Sequence, residues 1–181
     1  MMSARLFLNC CGVTNALGTG TETVYRAVHA STERPFSPVE LEPLQREIHV
    51  ANVQECLPEV PEEFDAYHSR NNQLLLHTLR QIEPQVREGI DRYGADRVGI
   101  VIGTSTTGIS DGEHALKAMK ETGGFPETFR HTQQELGNTA TFAAAILGVS
   151  GPAYTVSTAC SSSAKVFACA RNLIDAGVCD A

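Results

Sequence analysis

The 181-residue chain carries 14 Lys and Arg against 21 Asp and Glu, a formal charge of −7 at pH 7. Nucleic acids and anionic membrane surfaces call for clustered cationic side chains; no such cluster is present, so neither is expected as a partner. Hydrophobic residues at 42% and charged residues at 19% specify a buried globular core rather than disorder, and the length suits one ordinary domain of roughly 100–200 residues.

The opening MMSARLFLNCCG has the outline of a lipoprotein signal, but its apolar run at 6–8 is shorter than a signal core and Asn9 is not a small residue. Nor does any stretch approach the ~20 apolar residues that span a bilayer. A cytoplasmic protein is expected. Residues 5–11 predict a first buried strand, followed by a turn-rich connection at Gly12, Asn15, Gly18 and Gly20. Thr21 is placed to cap a helix that carries Val24, Tyr25 and Val28. Between residues 31 and 61, Pro35, Pro38, Pro43, Pro58 and Pro61 interrupt any long element and predict loop with short extended pieces.

Residues 64–93 predict helix, with an apolar stripe at Leu75, Leu79, Ile82, Val86 and Ile90, kinked or divided at Pro84. Residues 97–103 predict a second strand, apolar on both faces as a parallel sheet flanked by helices requires. A loop of small residues at 103–108 precedes a helix at 111–121. An alanine-rich helix at 138–147 stops at Gly148, and a third strand begins after Gly151 and Pro152. The last helix runs to about residue 176, with Gly177 as its C-terminal cap, and residues 178–181 look like the opening of another strand. Strands alternating with helices define an α/β class with a partly parallel sheet.

The six cysteines are Cys10, Cys11, Cys56, Cys160, Cys169 and Cys179. They include no C-x-x-C pair and none has a His at zinc-ligand spacing, so no metal is expected. The chain is not the short, loop-rich kind that a disulfide framework supports, and free thiols are expected. Five of the six read as small buried hydrophobes. Cys160 differs, because VSTACSSS, residues 156–163, places it between a β-prone stretch and a helical one. A strand, a tight turn and a helix N-terminus make a nucleophile elbow. There the unpaired N–H groups and the helix dipole favour a thiolate and can hold the oxyanion formed when it attacks an acyl carbonyl. Ala159, Ser161 and Ser162 leave room for a substrate. Ser163, Ala164, Phe167 and Arg171 share one face, and the helix is expected to lie deep with only its first turn touching a cavity.

TACSSS at 158–163 resembles the active-site signature of the β-ketoacyl synthases, the decarboxylating condensing enzymes of fatty acid and polyketide assembly. CGVTNALG at 11–18, VIGTS at 101–105, LGVSGPA at 147–153 and AGVCDA at 176–181 are similar to further landmarks of that family, in the same order along nearly the whole chain. The resemblance implies a thiolase-like fold of two α/β halves in alternating layers (αβαβα), of which residues 1–181 are expected to be the N-terminal half. It implies that Cys160 accepts an acyl group from a thioester. Decarboxylated malonyl carrier protein then attacks the acyl-enzyme, assisted by two histidines of the second half. No cofactor of the protein's own is implied, the substrates being carried on the phosphopantetheine of an acyl carrier protein. The implied partners are that carrier protein and a second synthase subunit, in a homodimer or heterodimer. The loop at 104–107 matches a family loop near the acyl pocket, which makes Ser105, Thr106 and Ser162 the candidate substrate-binding residues. Where Ser105 or Thr106 stands, many relatives have an apolar residue, a departure that points to a more polar or unusual substrate.

His29, His49, His68, His77, His114 and His131 fall in no catalytic motif and read as surface or packed side chains. Carrier-protein docking needs basic groups, whereas Glu62, Glu63 and Asp65 are acidic where many relatives are basic, and Arg70, Arg80 and Arg87 read as a solvated face. Two other functions fit an isolated elbow cysteine. A thioesterase or amidase would need a His serving Cys160, and a non-catalytic partner subunit would be expected to have lost the cysteine.

Overall fold

A computed structural model describes residues 6–30, 35–41 and 44–181. Its centre is a pair of parallel strands, β5 (Ile100–Gly103) and β6 (Ala153–Val156), aligned so that Ile100 faces Ala153 and Gly103 faces Val156. Before them in the chain come β1 (Thr14–Asn15) and β2 (Gly18–Thr19), helix α1 (Thr21–Ala30), strands β3 (Phe36–Leu41) and β4 (Arg46–Ala51), and helices α2 (Arg70–Leu79) and α3 (Glu83–Tyr93). Helices α4 (Ile109–Thr122) and α5 (Asn138–Leu147) lie between β5 and β6 in sequence, and α6 (Ser162–Asp175) follows β6.

Alternation along β5 decides what covers each side of the sheet. Val98, Ile100 and Ile102 join Ala140, Ala143 and Leu147 of α5 in one apolar cluster, against which Leu75, Leu79, Val86 and Ile90 of α2 and α3 also pack. Gly99 and Gly103 face the other way, toward α6. A Cβ on Gly103 would lie 2.8 Å from the Ser162 carbonyl oxygen and 2.8 Å from Val166 Cγ1, and one on Gly99 would lie 2.9 Å from Cys179 Sγ. The missing side chains let α6 rest on strand backbone. The double-sided apolarity of this strand is therefore real, with glycines supplying the close approach on one face.

Pro84 divides the long helix as its chemistry requires. It occupies the first turn of α3, where no intrahelical N–H is needed, and Ile82 sits at the break. Ser69 caps α2 by accepting the Asn72 N–H at 3.2 Å. Helix α5 ends at Gly148, whose φ of 68° is the left-handed geometry that glycine adopts without strain. Arg87 closes the same end by donating to the carbonyls of Leu147 at 2.6 Å and Ile146 at 3.2 Å. It stays exposed, as expected of a solvated face, while its guanidinium also ties α3 to α5. A second cluster joins Val60, Leu76 and Phe142, with Phe64 edge-on and Tyr67 tilted against the Phe142 ring.

Three expectations are corrected. Residues 6–11, expected to be most of a buried strand, are exposed and form no strand, and no backbone bond from another described segment pairs with them; Arg5 is outside the described residues. The proline-rich region is more regular than expected, since β3 and β4 pair in antiparallel register from Phe36–Ala51 to Leu41–Arg46. Pro38 is tolerated because a two-stranded ribbon leaves each strand an open edge where a missing N–H costs nothing; residues 31–34 and 42–43, Pro43 among them, are outside the described residues. The face of α6 bearing Ser163, Ala164, Phe167 and Arg171 is exposed, with Phe167 at 58%. The side of that helix turned to the sheet is instead the one with Val166, Cys169 and Leu173. No described residue covers the other side. The opening of a further strand at 178–181 appears only as backbone pairing: Asp180 N–H donates to the Arg97 carbonyl and Gly99 N–H to the Ala181 carbonyl, each at 2.8 Å.

Candidate active site

Cys160 lies at the middle of a single 3-10 turn, Ala159–Ser161, between β6 and α6. The turn is sharp enough that Ala159 takes a φ of 51°. That left-handed conformation costs a residue with a Cβ about 1–2 kcal/mol, so something must hold it. The holding is done by hydroxyls. Ser162 Oγ accepts the Thr158 N–H at 2.9 Å and donates to the Ala159 carbonyl at 2.8 Å. Ser161 Oγ lies 2.9 Å from both the Thr158 hydroxyl and the Thr158 carbonyl. Ser162 is buried at 3% exposure, whereas Cys160 is exposed. The serines thus form a knot around the bend and leave the thiol as its accessible group. Ser162, expected in contact with substrate, has its hydroxyl engaged inside the turn.

The loop at 104–107 reaches the same place. Because β5 and β6 run parallel, both chains leave the sheet at the same end, and in open α/β sheets that carboxyl end is where ligands bind. Thr104 N–H donates to the Val156 carbonyl at 3.3 Å, joining the first residue beyond β5 to the last residue of β6. Thr104 Oγ1 then spans its own loop, donating to the Thr106 carbonyl at 2.7 Å and accepting the Thr106 N–H at 3.2 Å. Ser105 and Thr106 are exposed, as is Cys160. Beneath them Gly103 touches the backbone of Ser162. The fold therefore brings Cys160, Ser105 and Thr106 to one end of one sheet, and places Ser162 in its foundation.

None of the described contacts of the six histidines involves the Cys160 turn. His77 lies 3.1 Å from the Thr19 hydroxyl, His29 is 2.8 Å from the Tyr25 carbonyl, and His68 is 3.8 Å from a Glu59 carboxylate oxygen. Among the described residues no group of His, Cys, Asp and Glu is arranged to hold a metal ion, and no helix is long and apolar enough to cross a membrane. Of the other thiols, Cys10, Cys11 and Cys56 are exposed rather than buried as expected, whereas Cys179 is buried at 2% exposure, and burial pushes it up from the ordinary thiol range. The Tyr154 phenol is raised from its ordinary range, mainly by burial and then by its interaction with Cys169. A cleft of about 530 Å³ lies elsewhere, lined by Asp65, His68, Asp111, His114, Phe129 and Gln133 among others; it includes neither Cys160 nor Ser105 nor Thr106.

The site is thus an exposed thiol on a strained strand-to-helix bend at the carboxyl end of the parallel strand pair of an α/β protein. Residues 57–181 match the family described as the β-ketoacyl synthase, N-terminal domain, and the chain belongs to that family. Among solved structures it resembles a chain of the ketosynthase (ApeO) in complex with its chain length factor (ApeC) from Xenorhabdus doucetiae. The two share 34% identity with a TM-score of 0.86, over 94% of this chain and 44% of that one. The ishigamide ketosynthase/chain length factor shares the fold at 22% identity and a TM-score of 0.71, over 93% of this chain and 43% of that one. The chain thus spans less than half the length of these solved chains. Comparison with curated proteins finds no match. The architecture is that of the N-terminal half of a thiolase-like layered α/β fold.

Proposed function

We propose that this chain is the nucleophile-bearing half of a β-ketoacyl-acyl-carrier-protein synthase and that Cys160 is its acyl-accepting residue. The observation that carries the reading is the exposed Cys160 thiol at the β6–α6 elbow, beside the loop of Ser105 and Thr106. In the proposed reaction the Cys160 sulfur attacks the carbonyl of an acyl thioester. A new thioester forms and the phosphopantetheine thiol of the carrier leaves with a proton. Malonyl carrier protein loses carbon dioxide, and the resulting carbanion attacks the Cys160 thioester. The new carbon–carbon bond forms as the sulfur is released. The Cys160 backbone N–H is one proposed oxyanion donor. Decarboxylation is assigned to two histidines of the remaining half of the enzyme, and the 181-residue chain alone is expected not to condense. Both solved relatives named above are ketosynthases described with a chain length factor, which supports a second synthase-type subunit as partner. Ser105 and Thr106 are proposed to line the acyl pocket, and their exposed positions with hydroxyl side chains favour a more polar or unusual acyl chain. Ser162 is proposed to position the Cys160 bend.

The test is to incubate the complete enzyme with an isotopically labelled acyl carrier protein thioester and map the label by peptide mass. Label on Cys160 is expected. Acylation confined to Cys10, Cys56 or Cys169 would overturn the assignment, and hydrolysis of the thioester without condensation would favour a cysteine acyl-enzyme hydrolase.

A further inference from the structure

The loop bearing Ser105 and Thr106 is fastened at both ends. At its start Thr104 is bonded to β6, as described. At its end, Gly108 is held through both its polar backbone atoms by a segment some 25 residues further along the chain. The Gly108 N–H donates to the Gln133 carbonyl at 3.0 Å, and the Gly108 carbonyl accepts Gln134 Nε2 at 2.7 Å as well as the Gly112 N–H at 2.9 Å.

Close packing accompanies these bonds. A Cβ on Gly108 would lie 2.8 Å from the Gln133 carbonyl, and a Cβ on Gly112 would lie 2.6 Å from Gln134 Oε1. Both glycines are buried. The grip is itself braced, because Gln133 is 4% exposed and its amide is engaged on both sides. Its Oε1 accepts the Arg130 N–H at 2.9 Å, and its Nε2 donates to the carbonyls of His68 at 2.7 Å and Thr128 at 3.3 Å. Gln134 is thus the side-chain link between a fixed framework and the point where the 104–107 loop turns into α4.

We infer that Gln134 is a positioning residue that sets acyl-chain selectivity by fixing Gly108, the hinge of the Ser105–Thr106 loop. The inference rests on the proposed synthase reading and deepens it. Glycine has the widest backbone freedom of any residue, so Gly108 keeps one conformation only while its surroundings impose it. The Gln134 amide supplies one of the bonds that do so. A single methylene in an apolar pocket changes discrimination by about 10–200-fold, so small displacements of the loop wall register in the ratio of rates for acyl chains of different length.

The experiment uses the complete enzyme with Gln134→Ala, Gln134→Glu, Gly112→Ala and the double variant Gly112→Ala/Gln134→Ala. Gln134→Glu keeps the size of the side chain and removes its donor, so it serves if the alanine variant fails to fold. Amide hydrogen exchange reads the loop, and the ratio of kcat/KM for two acyl carrier thioesters of different chain length reads its consequence. Exchange at 105–108 is expected to accelerate in both Gln134 variants while β5 and β6 stay protected, and the ratio to shift by roughly tenfold. Gly112→Ala, which collides with the Gln134 side chain, is expected to shift the ratio too, and to add nothing in the Gln134→Ala background. Unchanged exchange at Gly108 would overturn the clamp. Faster exchange with a ratio within about twofold of wild type, in an enzyme whose Cys160 acylates normally, would overturn the role in selectivity. Faster exchange in an enzyme that never acylates Cys160 would overturn the synthase reading and the selectivity role with it, while leaving the clamp demonstrated.

Discussion

Helices α5 and α6 pack on opposite faces of the same two strands, and they are finished to very different degrees. Six of the ten residues of α5 are buried, including Phe142 at 1% and Ala140 at 0% exposure, whereas Ser162 is the one buried residue of α6. Composition does not explain the contrast, since α6 carries Val166, Phe167, Leu173 and Ile174. The difference lies in what is available to pack against them. On the α5 side, α2 and α3 close the layer. On the α6 side the helix meets strand backbone along one line and presents the rest of its surface outward. One side of the sheet holds the buried core of the unit, and the other bears the exposed Cys160 turn.

The sharpest division between the two sides comes from single substitutions in the complete enzyme. Cys160→Ala is expected to reduce condensation by roughly 10⁴-fold or more, the scale seen when a covalent nucleophile is removed. The same change is expected to shift unfolding free energy by about 1 kcal/mol or less, because the thiol is exposed. Steady-state assay and denaturant unfolding of one preparation measure both. Near-normal condensation by this variant would place the nucleophile elsewhere.

Phe142→Ala should do the reverse. Its ring lies between Phe64 and Tyr67 in the second core cluster, and its removal is expected to cost about 3–5 kcal/mol in denaturant unfolding. At a temperature where the variant stays folded, Cys160 acylation should proceed near the wild-type rate. A mild stability effect would show that the α5 side is less decisive than its burial implies.

Gly103→Ala sits on the line between the two. The added methyl would come 2.8 Å from the Ser162 carbonyl oxygen, backbone that cannot rotate away, so α6 must shift. About 1–3 kcal/mol of stability should be lost, as in other overpacked sites. Acylation should fall as well, because Ser162 is two residues from Cys160. Loss of stability with full acylation would separate the elbow from its footing.

The smallest effect is at the margin of the α6 layer. Arg97 donates a 2.8 Å hydrogen bond to Asp180, which holds that carboxyl below the usual carboxylate range, chiefly through the bond itself. A depressed folded-state pKa makes this tie fully effective above the unfolded carboxylate pKa of about 4 and loses it as pH falls through the folded value. The protection factors of the Gly99 and Asp180 amides, which correct for the intrinsic pH dependence of exchange, are expected to fall only at acid pH. Equal protection factors from neutral to strongly acid pH would show that the backbone pairing there needs no help from the ion pair.

The parts of the molecule legible in the sequence are those decided by neighbouring residues. Pro84 divides a helix whatever surrounds it, Gly148 ends one, and the change from β-prone to helical residues around Cys160 marks the elbow. Residues 6–11 are apolar enough to read as a buried strand, but a strand also needs a partner, which no local pattern supplies. The β3–β4 ribbon was hidden because prolines are judged by the hydrogen bonds they remove, and Pro38 stands in an isolated pair with an open edge. In the sequence, the small and hydroxyl residues around Cys160 read as space for a substrate. Their size is visible in the sequence, while the closed circuit among Thr158, Ala159, Ser161 and Ser162 exists only once the bend is formed. Gln134 left no sequence signal at all, since its partner at Gly108 is a backbone atom.

The bare backbone of Gly103 also bears on how such a site can change over generations. Where helix and strand meet through side chains, each replacement in the interface resets the spacing, and a catalytic group carried on the helix drifts with it. Here the strand contributes only peptide atoms at the critical point, against the Ser162 carbonyl and the Val166 side chain of the helix. The hydrophobic residues on the α5 face are therefore free to be exchanged for others of similar volume without retuning the distance between Cys160 and the loop at 104–107. That freedom holds for as long as position 103 has no side chain.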